Sequence, residues 1–171
     1  ADLHKDYLRK QILQIFPDFP IDQLLLEPFG RNTAPAILWS ILRIPESNRN
    51  EPVVVLASDH LIKNLNSFNH ALKLGERLAS SGFIVTFGIK PDRAETGYGY
   101  IKSGEPLDVG FKVEEFVEKP DHSTAEQYLE SNRYTWNASI FMATTETWLE
   151  EYREHAPVLL DLFEKEASLG N

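Results

Sequence analysis

Apolar residues recur at helical spacing near the start of the chain. Leu3, Tyr7, Leu8, Ile12, Ile15 and Phe16 predict a helix over residues 3–16, and Pro17 and Pro20 end it. Leu24-Leu25-Leu26 is short, apolar and followed by Pro28 and Gly30, the pattern of a buried strand. A second helix is expected over 33–44, capped by Thr33 or Asn32, with Pro35 in its first turn and Pro45 as its stop. Val53 to Ala57 is apolar throughout and rich in β-branched residues, which predicts a strand buried on both faces, as in a parallel sheet. Over 67–80, Phe68, Ala71, Leu72, Leu78 and Ala79 line one helical face and Gly82 follows its end. Phe83 to Ile89 reads as the next strand, with Phe83, Phe87 and Phe141 assigned to the core.

Strands alternating with helices predict an α/β fold. Right-handed crossovers would build a mostly parallel sheet with helices on both faces. The second half changes character. Tyr98 to Lys102 and Phe111 to Val117 look like strands joined by a Gly- and Pro-containing loop, in antiparallel fashion. Ser123 and Glu126 form a capping box for a helix to about Ser131. Ala138 to Ala143 is a further strand, and 146–167 is helical with a break at Pro157. There is no repeat and no low-complexity linker, so residues 1–171 are expected to form one domain.

Composition narrows the function classes. The 171 residues are 42% hydrophobic and 25% charged, as in globular chains. The net charge of −9 comes without a basic stripe, which argues against a nucleic-acid partner. A small anionic ligand remains compatible with that charge, because a few cations and backbone amides can dominate locally. The chain has no cysteine, so disulfides and thiolate metal sites are excluded. No apolar run approaches the roughly 20 residues of a bilayer span, so no membrane partner is expected. The first residues do not read as a signal peptide, and a cytoplasmic address follows by default. The chain starts without Met, which fits a trimmed or excised product. A homo-oligomer is among the states the sequence allows.

Candidate chemistry lies at strand ends, where open α/β sheets bind ligands. Asp59 and His60 follow the strand Val53 to Ala57. Asp59 is placed either to hold Mg²⁺ beside a phosphate or to cap a turn, and position alone leaves the two readings even. His60 reads as a loop residue. Arg31, Asn32 and Thr33 bring donors to a helix start, which also reads as a capped turn with Arg31 in solvent. Gly97 and Gly99 flank Tyr98, allowing close backbone approach to a ligand or a tight turn. Glu118-Lys119-Pro120 offers either a phosphate-binding cation or a surface ion pair. Asn137 suits a sugar hydroxyl, or an Asx-turn.

The order of these runs is more specific than any one of them. Glu27-Pro-Phe-Gly-Arg-Asn-Thr-Ala-Pro-Ala36, Ala57-Ser-Asp-His60, Thr86-Phe-Gly-Ile89, Glu95-Thr-Gly-Tyr-Gly-Tyr-Ile101, Phe116-Val-Glu-Lys-Pro120 and Trp136-Asn137 follow one another along nearly the whole chain. This series resembles the mannose-1-phosphate guanylyltransferases of the sugar-phosphate nucleotidyltransferase superfamily. The resemblance implies a Rossmann-like, GT-A-like nucleotidyltransferase fold. It also implies transfer of GMP from GTP to mannose 1-phosphate, giving GDP-mannose and pyrophosphate. By the same resemblance Arg31, Asn32 and Thr33 would bind the nucleotide, and Asp59 the Mg²⁺. Gly97, Tyr98, Gly99, Glu118 and Asn137 would bind the sugar. Lys119 would hold the sugar phosphate, with Asp59 and Lys119 as the catalytic pair.

Two departures from the family pattern shape the expectation. Ser139 stands where the family has Gly, so a side chain would crowd the sugar pocket. The family's N-terminal strand with its Gly-rich triphosphate loop has no counterpart before Leu24, nor does its second metal-binding Asp appear downstream. The chain is therefore expected to be a central fragment, inactive by itself. The alternatives are a non-catalytic nucleotide-sugar-binding or regulatory module and a transferase for another hexose 1-phosphate.

Overall fold

The computed structural model describes residues 5–27, 30 and 32–169. Their elements, in chain order, are α1 (Lys5–Ile15), α2 (Thr33–Ile41), β1 (Pro52–Val55), α3 (Leu65–Ala79), β2 (Val85–Ile89), β3 (Gly99–Pro106), β4 (Phe111–Glu118), α4 (His122–Ser131), β5 (Tyr134–Thr144), α5 (Thr145–His155) and α6 (Pro157–Leu169). They divide into two compact units, one of residues 46–148 and one of residues 1–45 with 149–171.

The α/β class stands, but the expected parallel sheet does not. In the unit of residues 46–148 every strand pairing is antiparallel, and β5 is the hub. Trp136 pairs with both Ile89 and Tyr100, and Phe141 with both Val55 and Thr86. Hence β2 lies along one edge of β5, while β3 and β1 share its other edge. β1 and β2 still run in the same direction, each opposed to β5, and α3 crosses between them. The local pattern thus anticipates the crossover correctly. What it misses is the strand inserted between the two, which arrives from residues 134–144.

Three further corrections concern single segments. Val53, Val54 and Val55 are half-buried rather than covered on both faces. Among the described residues β1 has one strand neighbour only, and a strand is buried by the partners that flank it. Leu24 to Leu26 is not a strand but half-buried, unpaired chain after a short 3₁₀ turn at Ile21–Gln23. An apolar triplet becomes a strand only when a ladder accepts its amides. Phe83, expected in the core, is 42% exposed, whereas Phe87 and Phe141 are half-buried.

Helix starts are set by side-chain caps. Asn64 Oδ1 accepts the Ser67 N–H at 3.0 Å and opens α3. Asp121, not the Ser123–Glu126 pair, opens α4: its Oδ1 accepts the Thr124 N–H and the Ser123 hydroxyl, each at 2.8 Å. The Thr124 N–H, and after it the Ser123 hydroxyl, hold the Asp121 carboxyl below the usual carboxylate range. Asn132 ends α4 in the left-handed conformation common at helix C-termini. The core beneath this sheet gathers Tyr100, Ala125 and Trp136, with Tyr128 and Tyr134 packed against them.

The second unit is helical. Leu38 and Ile41 of α2 are fully buried, and Trp39 meets Phe163 of α6 edge-on at 5.8 Å. The Tyr152 hydroxyl donates to the Ala34 carbonyl at 2.6 Å, tying α5 to the first turn of α2. Burial pushes Tyr152 up to about 12. α1 buries none of its side chains, and its Tyr7 and Ile15, like the following Phe16, are well exposed. Among the described residues no helix is long and apolar enough to cross a membrane.

Candidate functional site

A cleft of about 1150 Å³ opens within the unit of residues 46–148. Its walls are the loop from Asp59 to Asn64, the first turns of α3, the end of β2, Arg93, Tyr98 and the Trp136 to Ile140 stretch of β5. It therefore brings together Asp59, Tyr98 and Asn137, three of the sequence-expected residues from segments far apart in the chain. Its charged lining consists of Asp59, Lys63 and Arg93, an excess of cations in a chain of net charge −9. His60 also lines it.

Tyr98 stands edge-on to Trp136 at 5.4 Å, and the Arg93 guanidinium lies over the same indole at 5.0 Å. Glu95 organises this wall. Its carboxylate accepts the Gly97 N–H at 3.0 Å and two Arg93 donors at 3.2 and 3.3 Å. Its own N–H donates to the buried Tyr100 hydroxyl at 2.9 Å. The Gly97 N–H, and after it Arg93, hold the Glu95 carboxyl below its usual range, while Glu95 raises Arg93 in turn.

Beside Tyr98, β3 and β4 place Gly99 opposite Glu118. A Cβ on Gly99 would fall 2.8 Å from Glu118 Oε2 and 3.0 Å from the Phe116 ring, so only glycine lets that carboxylate sit where it does. Lys119 Nζ pairs with Glu118 Oε1 at 3.2 Å, and both side chains are open to solvent. The Lys119 N–H donates to the Tyr98 carbonyl at 3.2 Å. Gly97, Tyr98, Gly99, Glu118 and Lys119 thus form one cluster, as the sequence suggests. Asn137 makes the Asx-turn, one of its two readings from sequence. Its Oδ1 already accepts Thr86 Oγ1 at 3.1 Å and the Ser139 N–H at 3.0 Å, which leaves its amide hydrogens as the group it can offer.

Asn32 and Thr33 belong to the other unit, at the start of α2. Asn32 is the N-cap residue, but its side chain makes no capping bond. Arg31 lies outside the described residues. Among the described residues no group of three His, Cys, Asp or Glu is placed to hold a metal, and Asp59 enters the cleft as its single carboxylate. Sequence reasoning overlooked Lys63, Arg93 and the bracing by Glu95. Only Glu95 carried a signal, an acid two residues before a glycine amide.

Backbone strain marks the same places. Four described non-glycine residues have positive φ: Asn32, Lys119, Asn132 and Ser139. Asn132 is a helix cap, whereas the other three lie at or beside the expected binding motifs. Left-handed backbone in a non-glycine residue persists only where its surroundings enforce it, and such residues cluster at functional sites.

Comparison with known proteins bears on the family of the chain. The chain is 40% identical over 167 residues to a mannose-1-phosphate guanylyltransferase of Salmonella typhimurium, covering 96% of this chain and 34% of that protein. It is 42% identical over 154 residues to the Escherichia coli K12 enzyme of the same name, covering 86% and 32%. The chain therefore spans about a third of the length of these relatives. Among solved structures, a Thermus thermophilus mannose-1-phosphate geranyltransferase superposes with a TM-score of 0.79 at 32% identity, covering 94% of this chain and 47% of that one. A Helicobacter pylori mannose-6-phosphate isomerase gives 0.71 at 36% identity, covering 81% and 52%. Residues 7–171 match the nucleotidyl transferase family, and the chain belongs to it.

Proposed function

We propose that this chain is part of an enzyme that transfers GMP from GTP to mannose 1-phosphate, with GDP-mannose and pyrophosphate as products. The observation that carries this reading is the cleft wall in which Asp59, Tyr98 and Asn137 meet beside the Gly99–Glu118 pair. The names of the Salmonella and Escherichia coli relatives support the choice of substrates. In the reaction a phosphate oxygen of mannose 1-phosphate attacks the α-phosphorus of GTP. The bond to the bridging oxygen breaks in line, and pyrophosphate leaves with the electron pair.

The roles follow from chemistry and position. Tyr98 and the bare backbone of Gly97 and Gly99 would lie against the hexose, and Glu118 would accept from its hydroxyls. Asn137 would donate to a sugar oxygen. Lys119 would neutralise the sugar phosphate by leaving its exposed pairing with Glu118, which costs little in solvent. Asn32 and Thr33 would contact the guanine, and Arg31 would bind the same nucleotide. Mg²⁺ sites often combine one or two carboxylates with substrate phosphates and water, and Asp59, a lone exposed carboxylate in the cleft wall, suits such a site. Bound there, Mg²⁺ would offset charge on the phosphates.

Calorimetric titration with GDP-mannose and Mg²⁺, beside UDP-glucose, tests this reading. Metal-dependent binding of GDP-mannose and not UDP-glucose is the expected result. Equal binding of the two would refute the assignment, and binding of neither would mean that this segment by itself lacks a working site.

A further inference from the structure

Between the pairs Thr86–Phe141 and Gly88–Asn137 the two strands of the β2–β5 ladder fall out of step. β2 advances two residues while β5 advances four, so β5 carries two extra residues around Ser139. Such bulges re-aim side chains and recur next to active sites. Ser139 sits within this one with φ +52°, a conformation that side chains disfavour. Asn137 enforces it: one oxygen accepts both the Ser139 N–H and the Thr86 hydroxyl. The neighbours Ala138 and Ile140 are 6% and 5% exposed, whereas Ser139 is exposed and lines the cleft. Its hydroxyl has no hydrogen-bond partner among the described residues. A strained backbone, a bulge and a side-chain clamp all serve to present this one hydroxyl to the cleft.

We propose that Ser139 determines specificity in this cleft, its hydroxyl hydrogen-bonding a hydroxyl of the bound hexose. The proposal rests on the nucleotide-sugar reading above and assigns a contact that the reading leaves open. The full chain and its S139A and S139G variants are titrated calorimetrically with GDP-mannose and with GDP, both with Mg²⁺. S139A is expected to weaken GDP-mannose about fivefold, the worth of one hydrogen bond, and to leave GDP unchanged. Because alanine keeps the Cβ and the strain, its melting temperature should match the unsubstituted chain. S139G should show the same selective loss yet melt higher, since glycine relieves the positive φ.

If the unsubstituted chain selects GDP-mannose over GDP and S139A does so equally well, the role of Ser139 is refuted while the cleft assignment stands. Equal losses for both ligands would mean general distortion and also refute it. An unsubstituted chain that binds GDP-mannose no better than GDP would overturn the sugar-cleft reading, and this proposal with it.

Discussion

At the scale of single residues, the candidate site depends on atoms that are absent as much as on those present. Gly99 is the clearest case, because its missing Cβ is what admits the Glu118 carboxylate and the Phe116 ring. Gly99→Ala should push Glu118 aside and lower affinity for GDP-mannose at least tenfold, roughly 1.4 kcal/mol, as calorimetry would show. Unchanged affinity would mean that Glu118 does not touch the ligand. Gly88 is a second such position, since a Cβ there would overlap the Thr135 side chain. Residue type and strand-end position brought Asp59, Gly97, Gly99, Glu118 and Asn137 forward with two readings each, and only the resemblance gave them binding roles. Sequence reading did not reach Arg93 or Lys63, whose place in the cleft depends on how distant segments fold together. It flagged Ser139 as a bulky intruder. The structure gives the glycine-like requirement another cause, a backbone turned to φ +52°, which no hydrophobic pattern encodes.

At the scale of elements, periodicity predicted the helices well. Four of the expected segments become α1, α2, α3 and, broken before Pro157, the pair α5 and α6. Their ends are set by particular caps, which is where prediction slipped at α4. Asp121→Ala should remove the Thr124 and Ser123 bonds and lower the melting temperature by roughly 2–4 °C. Ser123→Ala, by contrast, should have a smaller effect, and the reverse order in thermal melts would restore the capping-box reading. Tyr152 makes an inter-helix test. Tyr152→Phe leaves the Ala34 carbonyl without its 2.6 Å partner and should cost about 1 kcal/mol in urea unfolding at pH 8. The pH dependence has a definite sign. Tyr152 is raised to about 12 in the fold from an ordinary value of 10. Its contribution is therefore complete below pH 10 and is lost as pH rises towards 12. The gap between variant and unsubstituted chain should narrow between pH 10 and 12, and a constant gap would exclude this linkage.

At the scale of the whole molecule, the sheet direction was the feature least legible in the sequence. Each of β1 and β2 announces itself locally, but their relation depends on β5, which begins some 45 residues after β2 ends. Nothing in Val53 to Val55 specifies that partner. Charge raises a different whole-chain question, because under the proposed function a chain of net charge −9 has to attract an anionic ligand. Its overall field repels GDP-mannose over distances of tens of ångströms in dilute salt, so attraction has to be local. Of the two cleft cations, Arg93 is engaged by Asp92 and Glu95, whereas Lys63 has no ion-pair partner among the described residues. Lys63 is thus the cation free to meet a phosphate. Lys63→Ala should weaken GDP-mannose about fivefold in about 0.01 M salt, where screening extends about 30 Å. In about 1 M salt, with screening near 3 Å, the loss should shrink below about twofold. Lys119 and Mg²⁺ would still draw the phosphates in the variant, so its affinity should fall less steeply with salt than that of the unsubstituted chain. A loss of the same size at both salt concentrations would mean that Lys63 acts through its aliphatic stem, by packing, and that the positive charge of this wall is not what draws the ligand in.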